Sequence, residues 1–281
     1  MFNKNLAFSF IFILSLFLLW GVNPVLAQEE DNPEQSQQKI KDFYLSNFKE
    51  DGTKEWEVKG EEAIVYDEYV DIDQMDANYY AENDVLAVTS DKAKLNKENM
   101  DVNLKGNVHV ENADGMKLDT ETLDWQREKN HIETDDKVKT SQDNMQITAT
   151  GLSADTALKE ADFKKDVEVV FPEGETGEVS TATCTGALEI AYALGTAIFN
   201  DNVVVTHTQG KLFSDKTTLY FDTEGKQIEK IVSEGNVKIV KDGNDTFSEK
   251  ATYYALEKRI VLEGRPRIVY HPKEGDSLNF P

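Results

Sequence analysis

The chain has 281 residues and a formal net charge of −23 at pH 7, because 53 acidic side chains outnumber 30 basic ones. This charge repels phosphate backbones and anionic membrane surfaces, so it argues against a nucleic acid partner and against electrostatic adsorption to a membrane. The single cysteine, Cys184, excludes a disulfide within the chain.

The first 27 residues differ from the rest of the chain. Lys4 precedes an uncharged apolar stretch, and Val25-Leu26-Ala27 has the small-residue ending of a signal-peptide cleavage site. The same stretch is long enough for an uncleaved anchor, which needs roughly 20 apolar residues. Residues 1–27 are therefore predicted to be a signal peptide or a membrane anchor, with cleavage after Ala27 favoured. Either alternative places the remainder across a membrane.

Residues 28–41 are polar and poor in apolar side chains, which predicts a tether. A short helix signal follows at residues 39–48, and helix signals are otherwise scarce beyond the N-terminal segment. The remaining chain is long enough for one large domain or two modest ones.

That remainder repeats a motif written most clearly as Gly-Asn-Val. Successive copies, at spacings of 30, 29, 36, 34 and 29 residues, end at Val108, Val138, Val167, Val203, Val237 and Pro266. A second block, Ser-Asp/Glu-Lys, begins at Ser90, Ser214 and Ser248. In its two later copies the serine follows the motif valine by 11 residues. Two blocks that keep one offset indicate a structural repeat.

The repeat unit is predicted to be a pair of antiparallel strands. Around the first motif the apolar residues Val102, Leu104, Val108 and Val110 fall on one parity, which is typical of a half-buried strand. Gly106 lies on the same parity and predicts a bulge or a bend. Stacked hairpins with one apolar face must bury it against another sheet or against themselves, as in a sandwich, a jelly roll or a rolled solenoid.

On these residues the chain resembles the periplasmic lipopolysaccharide-transport family, in particular the bridge proteins LptC and LptA. Residues 43–171 are similar to LptC through Asp51-Gly52, Trp56-Glu57-Val58, Ala63 and the stretches 90–95 and 104–110. Residues 178–270 are similar to LptA through the stretches 201–205, 214–216, 235–239 and 248–251.

The resemblance implies an all-β fold, the OstA-like β-jelly roll of stacked antiparallel strands, open at both ends. It further implies an LptC-like jelly roll over residues 42–172 and an LptA/OstA-like one over residues 173–281, either continuous or stacked in series. The chain looks longer than LptC alone, as if the two types of module were joined. Cleavage after Ala27 would not fit a family member held by an N-terminal membrane segment.

The implied function is lipopolysaccharide transport in the periplasm, in association with the inner membrane and without catalysis or a cofactor. Lipopolysaccharide would pass along a bridge from the inner-membrane ABC transporter of the Lpt system to the outer membrane, with its acyl chains in an apolar groove. The other implied partner is an LptA-like protein or the outer-membrane Lpt receptor, bound by pairing of edge strands.

Strand parity selects ten side chains for the groove of such a protein. They are Val108, Val110, Met116, Leu118, Val205, Leu212, Val237, Ile239, Ile260 and Leu262. For any one of these residues a packed core position is the simpler interpretation, because strand interiors are normally filled. The groove hypothesis depends on the length of the apolar stripe and on the resemblance.

The two ends of the sheet are predicted to bind partners. Trp56 and Val58 mark the expected N-terminal edge, which would dock the transporter. Near the C-terminus, Pro266 cannot donate to a strand ladder, which confines its segment to an edge or a bulge. Arg265, Arg267 and Ile268 are therefore the residues expected at the edge that docks the distal partner.

No catalytic or metal-binding residues are predicted. The four histidines lack zinc-ligand spacing, and no nucleophile, Walker or dinucleotide motif is present. Two other functions stay open on the residues alone. One is a periplasmic or extracellular carbohydrate-binding β-solenoid, and the other is a passive scaffold for envelope assembly that binds only protein edges.

Overall fold

A computed structural model describes residues 38–80, 85–142, 145–156, 159–173, 178–223 and 227–271. The predicted signal peptide or anchor and residues 28–37 of the predicted tether lie outside these ranges. No helix within these ranges has the length and apolar character needed to span a bilayer.

The described residues form seventeen β-strands and one 3₁₀ turn, Tyr192–Leu194. The strands are β1 Gln38–Phe48, β2 Lys54–Val65, β3 Tyr69–Tyr80, β4 Val85–Asn96, β5 Val102–Asn112, β6 Lys117–Gln126, β7 His131–Gln142, β8 Met145–Asp155, β9 Glu160–Glu173, β10 Glu178–Cys184, β11 Leu188–Ala191, β12 Thr196–His207, β13 Gly210–Phe221, β14 Ile228–Lys241, β15 Asn244–Tyr254, β16 Arg259–Glu263 and β17 Arg267–Val269. The all-β prediction is confirmed.

The first strand corrects two predictions. The helix expected within residues 39–48 is wrong, and the last four residues assigned to the tether belong to β1. Strand β1 pairs with β2 along almost its whole length, and Phe43, at 8% exposure, packs into the core. Tertiary pairing thus overrides the local helix signal, as it commonly does for weakly patterned segments.

The strands form one antiparallel sheet in which each strand pairs with its neighbours in sequence. Strands β10 and β11 share the position between β9 and β12, and β16 and β17 share the last position, beside β15. The seventeen strands therefore occupy fifteen positions. Strand β9, before the predicted module boundary, pairs with β10 and β11, after it, so the described strands form one continuous sheet across that boundary.

The repeated motifs form a bend in the middle of the strands. Gly106 and Asn107 have φ angles of 79° and 47°, and Gly235 and Asn236 have 75° and 47°. Such left-handed conformations favour glycine, and an added Cβ at Gly106 would lie only 2.5 Å from Oδ2 of Asp91. At these positions the pairing register shifts in the adjoining strand pairs, as at a β-bulge.

The two sequence blocks of the repeat meet at this bend. The Asn107 side-chain amide donates a 2.8 Å hydrogen bond to Asp91, and Asn236 donates the equivalent 2.8 Å bond to Asp215. The constant offset between the blocks is the register of a hairpin, because Val237 lies directly opposite Ser248. In the same way Val203 lies opposite Ser214.

One face of this sheet is deeply buried although the sheet is the only layer among the described residues. Leu152 is 0% exposed, and Val108, Leu118 and Leu188 are each 1% exposed. An apolar face can be buried to this extent only if something covers it, so the sheet must fold over on itself along the line of bends. This is the arrangement expected of a β-jelly roll.

Candidate functional site

A first apolar row, here called row 1, crosses the whole sheet on one side of the bends. Its members lie directly opposite one another on successive strands: Leu45, Val58, Ala77, Val88, Val110, Leu118, Thr140, Ile147, Val169, Ala182, Val205, Leu212, Ile239, Thr246 and Ile268. Two threonines are its only polar members. At about 4.8 Å per strand, the row extends for roughly 67 Å.

A second apolar row, row 2, crosses the sheet on the other side of the bends. It runs from β2 to β16 through Val65, Val70, Leu95, Val102, Trp125, Ile132, Ala154, Ala161, Ile190, Ala197, Leu219, Ile231, Tyr253 and Ile260. Val110 of row 1 and Ile132 of row 2 pack against the same two buried clusters. The two rows therefore line one interior.

The repeat explains why both rows are continuous. Counting from the motif position, row 2 takes the residue six places earlier, as in Val102 before Val108 and Ile231 before Val237. Row 1 takes the residue two places later, as in Val110. Each copy of the motif thus supplies one side chain for each row, and all of these side chains except Thr140 are apolar.

The outer face of the sheet is charged. Lys59 lies 2.9 Å from Asp76, and Lys164 lies 2.8 Å from Glu133 and 2.7 Å from Asp135. The hydrogen bond and charge of Lys164 hold the pKa of Asp135 below its ordinary value. Exposed pairs of this kind contribute little to folding stability. Their consequence is a sheet that is polar outside and apolar inside.

The predicted groove residues fall into three positions. Val110, Leu118, Val205, Leu212 and Ile239 belong to row 1, and Ile260 belongs to row 2. The other four lie outside both rows. Val108 and Val237 are at the bend, each 1% exposed, and a half-buried Met116 is in the β5–β6 connection. Leu262 is on β16, two residues nearer the bend than Ile260 of row 2. Contact of these residues with a lipid stays a prediction.

Most of row 2 was missed by the sequence analysis. Leu219 and Ile231 lie on the apolar parity of their strands, but the selection stayed close to the motif valines and favoured the residues after them. The signal that would have found them is the constant place six residues before each motif position, which is occupied in turn by Val102, Ile132, Ala161, Ala197, Ile231 and Ile260.

The N-terminal edge is not where it was expected. Trp56 and Val58 lie on β2, where β1 covers them, since Asn47 pairs with Trp56 and Leu45 pairs with Val58. In the part of the chain that the structure describes, no strand pairs with the outer side of β1. The edge strand is therefore β1, which exposes Tyr44, Leu45 and Phe48 by 57%, 40% and 53%.

A polar cluster fastens this edge strand to the sheet. The Glu57 carboxylate accepts hydrogen bonds from the Tyr44 and Tyr80 hydroxyls at 2.6 and 2.7 Å, from the Lys54 ammonium at 2.5 Å and from the Asn78 amide at 3.1 Å. These bonds, that of Lys54 foremost, lower the pKa of Glu57 to about 2. The carboxylate stays ionised at any physiological pH and ties β1 to β2 and β3.

The C-terminal edge lies in the segment where the sequence placed it. Pro266 falls between β16 and β17, after a left-handed bend at Gly264 and Arg265 with φ angles of 80° and 56°. Ile268 is 70% exposed, and the Arg267 guanidinium lies 4.8 Å from the centroid of the Phe247 ring. Among the described residues no strand pairs with the far side of β16 or β17.

Two candidates for catalysis among the described residues are a metal site and the Cys184 thiol, and neither has the required arrangement. They contain no group of three or more His, Cys, Asp and Glu side chains arranged to hold a metal ion. Cys184 is buried at 3% exposure, and this burial raises the pKa of its thiol to about 11. A thiol that stays protonated in the core is a poor nucleophile.

The fold and its interior define a class of protein: a β-jelly roll with an extended apolar interior, a charged exterior and an open strand edge at each end. Residues 6–171 match the family described as lipopolysaccharide-assembly, LptC-related, and residues 185–279 match the LptA/(LptD N-terminal domain) LPS transport proteins. The first match covers more than half of the chain, which therefore belongs to the LptC-related lipopolysaccharide-assembly family. No curated protein matches the chain.

This membership confirms the predicted resemblance and the series of an LptC-type and an LptA-type region. Both families serve lipopolysaccharide transport and are not enzymes, so the chain has a non-catalytic role in lipopolysaccharide transport in the cell envelope.

Proposed function

We propose that the chain is a periplasmic bridge segment of the lipopolysaccharide export system. It receives lipopolysaccharide from the inner-membrane ABC transporter and passes it towards the outer membrane, with the acyl chains between row 1 and row 2 and the sugars outside. The observation that carries this proposal is the continuity of both rows from β9 to β12, that is, from one family region to the other.

The apolar rows must supply the affinity for the lipid. Moving acyl chains out of water contributes about 0.8 kcal/mol for each methylene group that is buried. The chain carries a net charge of −23, so its outer face offers no general attraction for lipid phosphates. Recognition through the acyl chains, with the head group held away from the protein, is the arrangement that agrees with both facts.

The two family regions act as one unit in this proposal, with residues 42–172 as the LptC-type part and residues 173–281 as the LptA-type part. One buried cluster extends from Leu118 on β6 to Val203 on β12 and includes Phe163, Cys184 and Leu188. Because this core is shared, the LptA-type part supplies a bridge segment within the same chain.

The central test is photocrosslinking at neighbouring residues of one strand. A crosslinking amino acid at Ile239, in row 1, is expected to capture lipopolysaccharide. The matched control is Lys238, whose ammonium lies 3.1 Å from Asp245 and whose position is on the outer face. Equal capture at both positions would contradict the proposal. Capture at neither would favour a passive scaffold, and capture of deacylated polysaccharide at Lys238 alone would favour a carbohydrate-binding protein.

The two edges give this bridge its polarity. The β1 edge would dock the transporter, and the β16–β17 edge would dock an LptA-like protein or the outer-membrane receptor by strand addition. Ile268→Asp should abolish pull-down of the distal partner and leave the transporter bound. Leu256→Asp is the control, because Leu256 is 88% exposed but lies in the β15–β16 turn and not on an edge strand. If Ile268→Asp abolished binding of the transporter instead, the assignment of the two edges would be wrong.

A further inference from the structure

Burial along the two rows is far from uniform. In the middle of row 1, Leu118, Thr140, Ile147, Val169 and Ala182 are 1%, 7%, 5%, 5% and 3% exposed. In row 2 the burial is confined to β8 and β9, where Ala154 is 3% and Ala161 is 7% exposed, while Trp125, Ile132 and Ile190 beside them are half-buried. These seven residues, from β6 to β10, are called the waist.

The rows are more open on both sides of the waist. Towards the N-terminus, Val58, Ala77, Val88 and Val110 of row 1 and Val65, Val70, Leu95 and Val102 of row 2 are half-buried. Towards the C-terminus, Val205, Leu212 and Ile239 of row 1 and Ala197, Leu219, Ile231 and Tyr253 of row 2 are half-buried as well. These two sets are called the N-terminal flank and the C-terminal flank.

The change from flank to waist is abrupt and is not a simple effect of distance from the sheet ends. Val110 and Leu118 are opposite one another on adjacent strands, yet the first is half-buried and the second is 1% exposed. On the other side, Ala182 at 3% pairs with the half-buried Val205. Exposure of the flanks therefore reflects how the two sides of the folded sheet are packed.

The composition of the interior explains the closed waist. Beneath the waist lie Val138, Leu152, Phe163, Val167 and Leu188, all between 0% and 3% exposed. Three of the seven waist residues are alanines, and such short side chains let the two sides of a folded sheet approach closely. Side chains that are covered to this extent leave the waist closed to an acyl chain in this structure.

The bend beside the C-terminal flank is built differently. Buried hydroxyls line it: Ser214 is 2.8 Å from Thr217, and Thr217 is 2.9 Å from Ser233. These polar contacts lie beside Val203 and Val237, which are each 1% exposed. The bend of the C-terminal flank therefore carries a hydrogen-bonded polar cluster next to its buried valines.

We propose that the chain holds two separate acyl-chain sites, one in each flank, and that lipid crosses between them only when the waist opens. This inference rests on the proposed function and adds to it a closed point within the bridge. In the resting protein a lipid in the N-terminal flank is held apart from one in the C-terminal flank.

The test uses the purified full chain with hexa-acylated rough lipopolysaccharide and no transporter. Photocrosslinkers at Val88, Ala154 and Ile231 report on the N-terminal flank, the waist and the C-terminal flank. Capture at Val88 and Ile231 should exceed capture at Ala154 by at least tenfold. Equal capture at all three positions would overturn the inference, whereas capture at none would overturn the proposed function instead.

A second measurement leaves the waist unchanged. Val88→Asp should abolish capture in the N-terminal flank and leave capture at Ile231 unaltered, because the two sites are separate. Loss of capture at Ile231 would show a single continuous site. During ATP-driven transport, capture at Ala154 should rise to the level of the flanks, and delivery of lipid without any capture there would refute passage through the waist.

Discussion

Replacement of Gly106 by alanine tests the bend on which both rows depend. A left-handed conformation such as that of Gly106, with φ at +79°, costs an L-residue about 1–2 kcal/mol. The new Cβ would also lie 2.5 Å from Oδ2 and 2.9 Å from Cβ of Asp91, so the aspartate must move. That movement breaks its bond from Asn107, which contributes about 0.5–1.5 kcal/mol. The expected total loss of stability is about 1.5–3.5 kcal/mol.

Gly115 is a matched control in the turn that follows the same strand. Its φ is +78°, and an added Cβ would meet nothing within 4 Å. Gly115→Ala should therefore cost only the strain of the left-handed conformation, about 1–2 kcal/mol. Urea unfolding followed by circular dichroism gives the free energy of unfolding of both variants. In a protein that already lacks the Asp91 side chain, Gly106→Ala should cost no more than Gly115→Ala. Equal losses for the two glycines in the native background would refute the role assigned to the Asp91 contact.

Three further predictions concern the core, the edge strand and the thiol. Leu152→Ala should cost about 2–5 kcal/mol of unfolding free energy, because the side chain is 0% exposed. Leu256→Ala, at an 88% exposed turn position, should change stability by less than about 0.5 kcal/mol. Since the pKa of Glu57 is lowered to about 2, its contribution is fully present above its unfolded value of 4.5 and disappears as the pH falls through 2. The stability difference between the protein and Glu57→Gln should shrink over that interval, and a constant difference would contradict the assignment. Cys184, with a pKa of about 11, should resist maleimide at pH 8 until urea unfolds the protein, and rapid labelling of the folded protein would show that the site is open.

The sequence carried most of the architecture because parity and motif are local properties. The alternation of apolar residues at Val102–Val110 predicted strands. The 11-residue offset between Val237 and Ser248 corresponds to their pairing in the β14–β15 hairpin. Strand β1 escaped prediction because its apolar residues do not alternate cleanly, and its conformation comes from pairing with β2. Local pattern therefore specifies the repeat but not what caps it.

The sequence could predict which residues face the interior but not how deeply each of them is buried. Val88 on β4 and Val169 on β9 both belong to row 1 and have the same side chain, yet the first is half-buried and the second is 5% exposed. The difference arises because Val169 belongs to a buried cluster with Phe163 and Leu188. The periodicity of a strand does not show which side chains it will meet when the sheet folds over. For the same reason the sequence could select lining residues without showing where the interior closes.

Strictly sequential pairing makes the length of this protein a modular quantity. A new hairpin of about 30 residues, the common spacing of the motif, would add two strands and lengthen the sheet by about 10 Å without rerouting any other strand. The same local connectivity suits a chain that folds after threading through a membrane from its N-terminus, because each hairpin needs only its predecessor as a template. The distance that such a protein reaches can thus follow the width of its compartment by the gain or loss of single repeats.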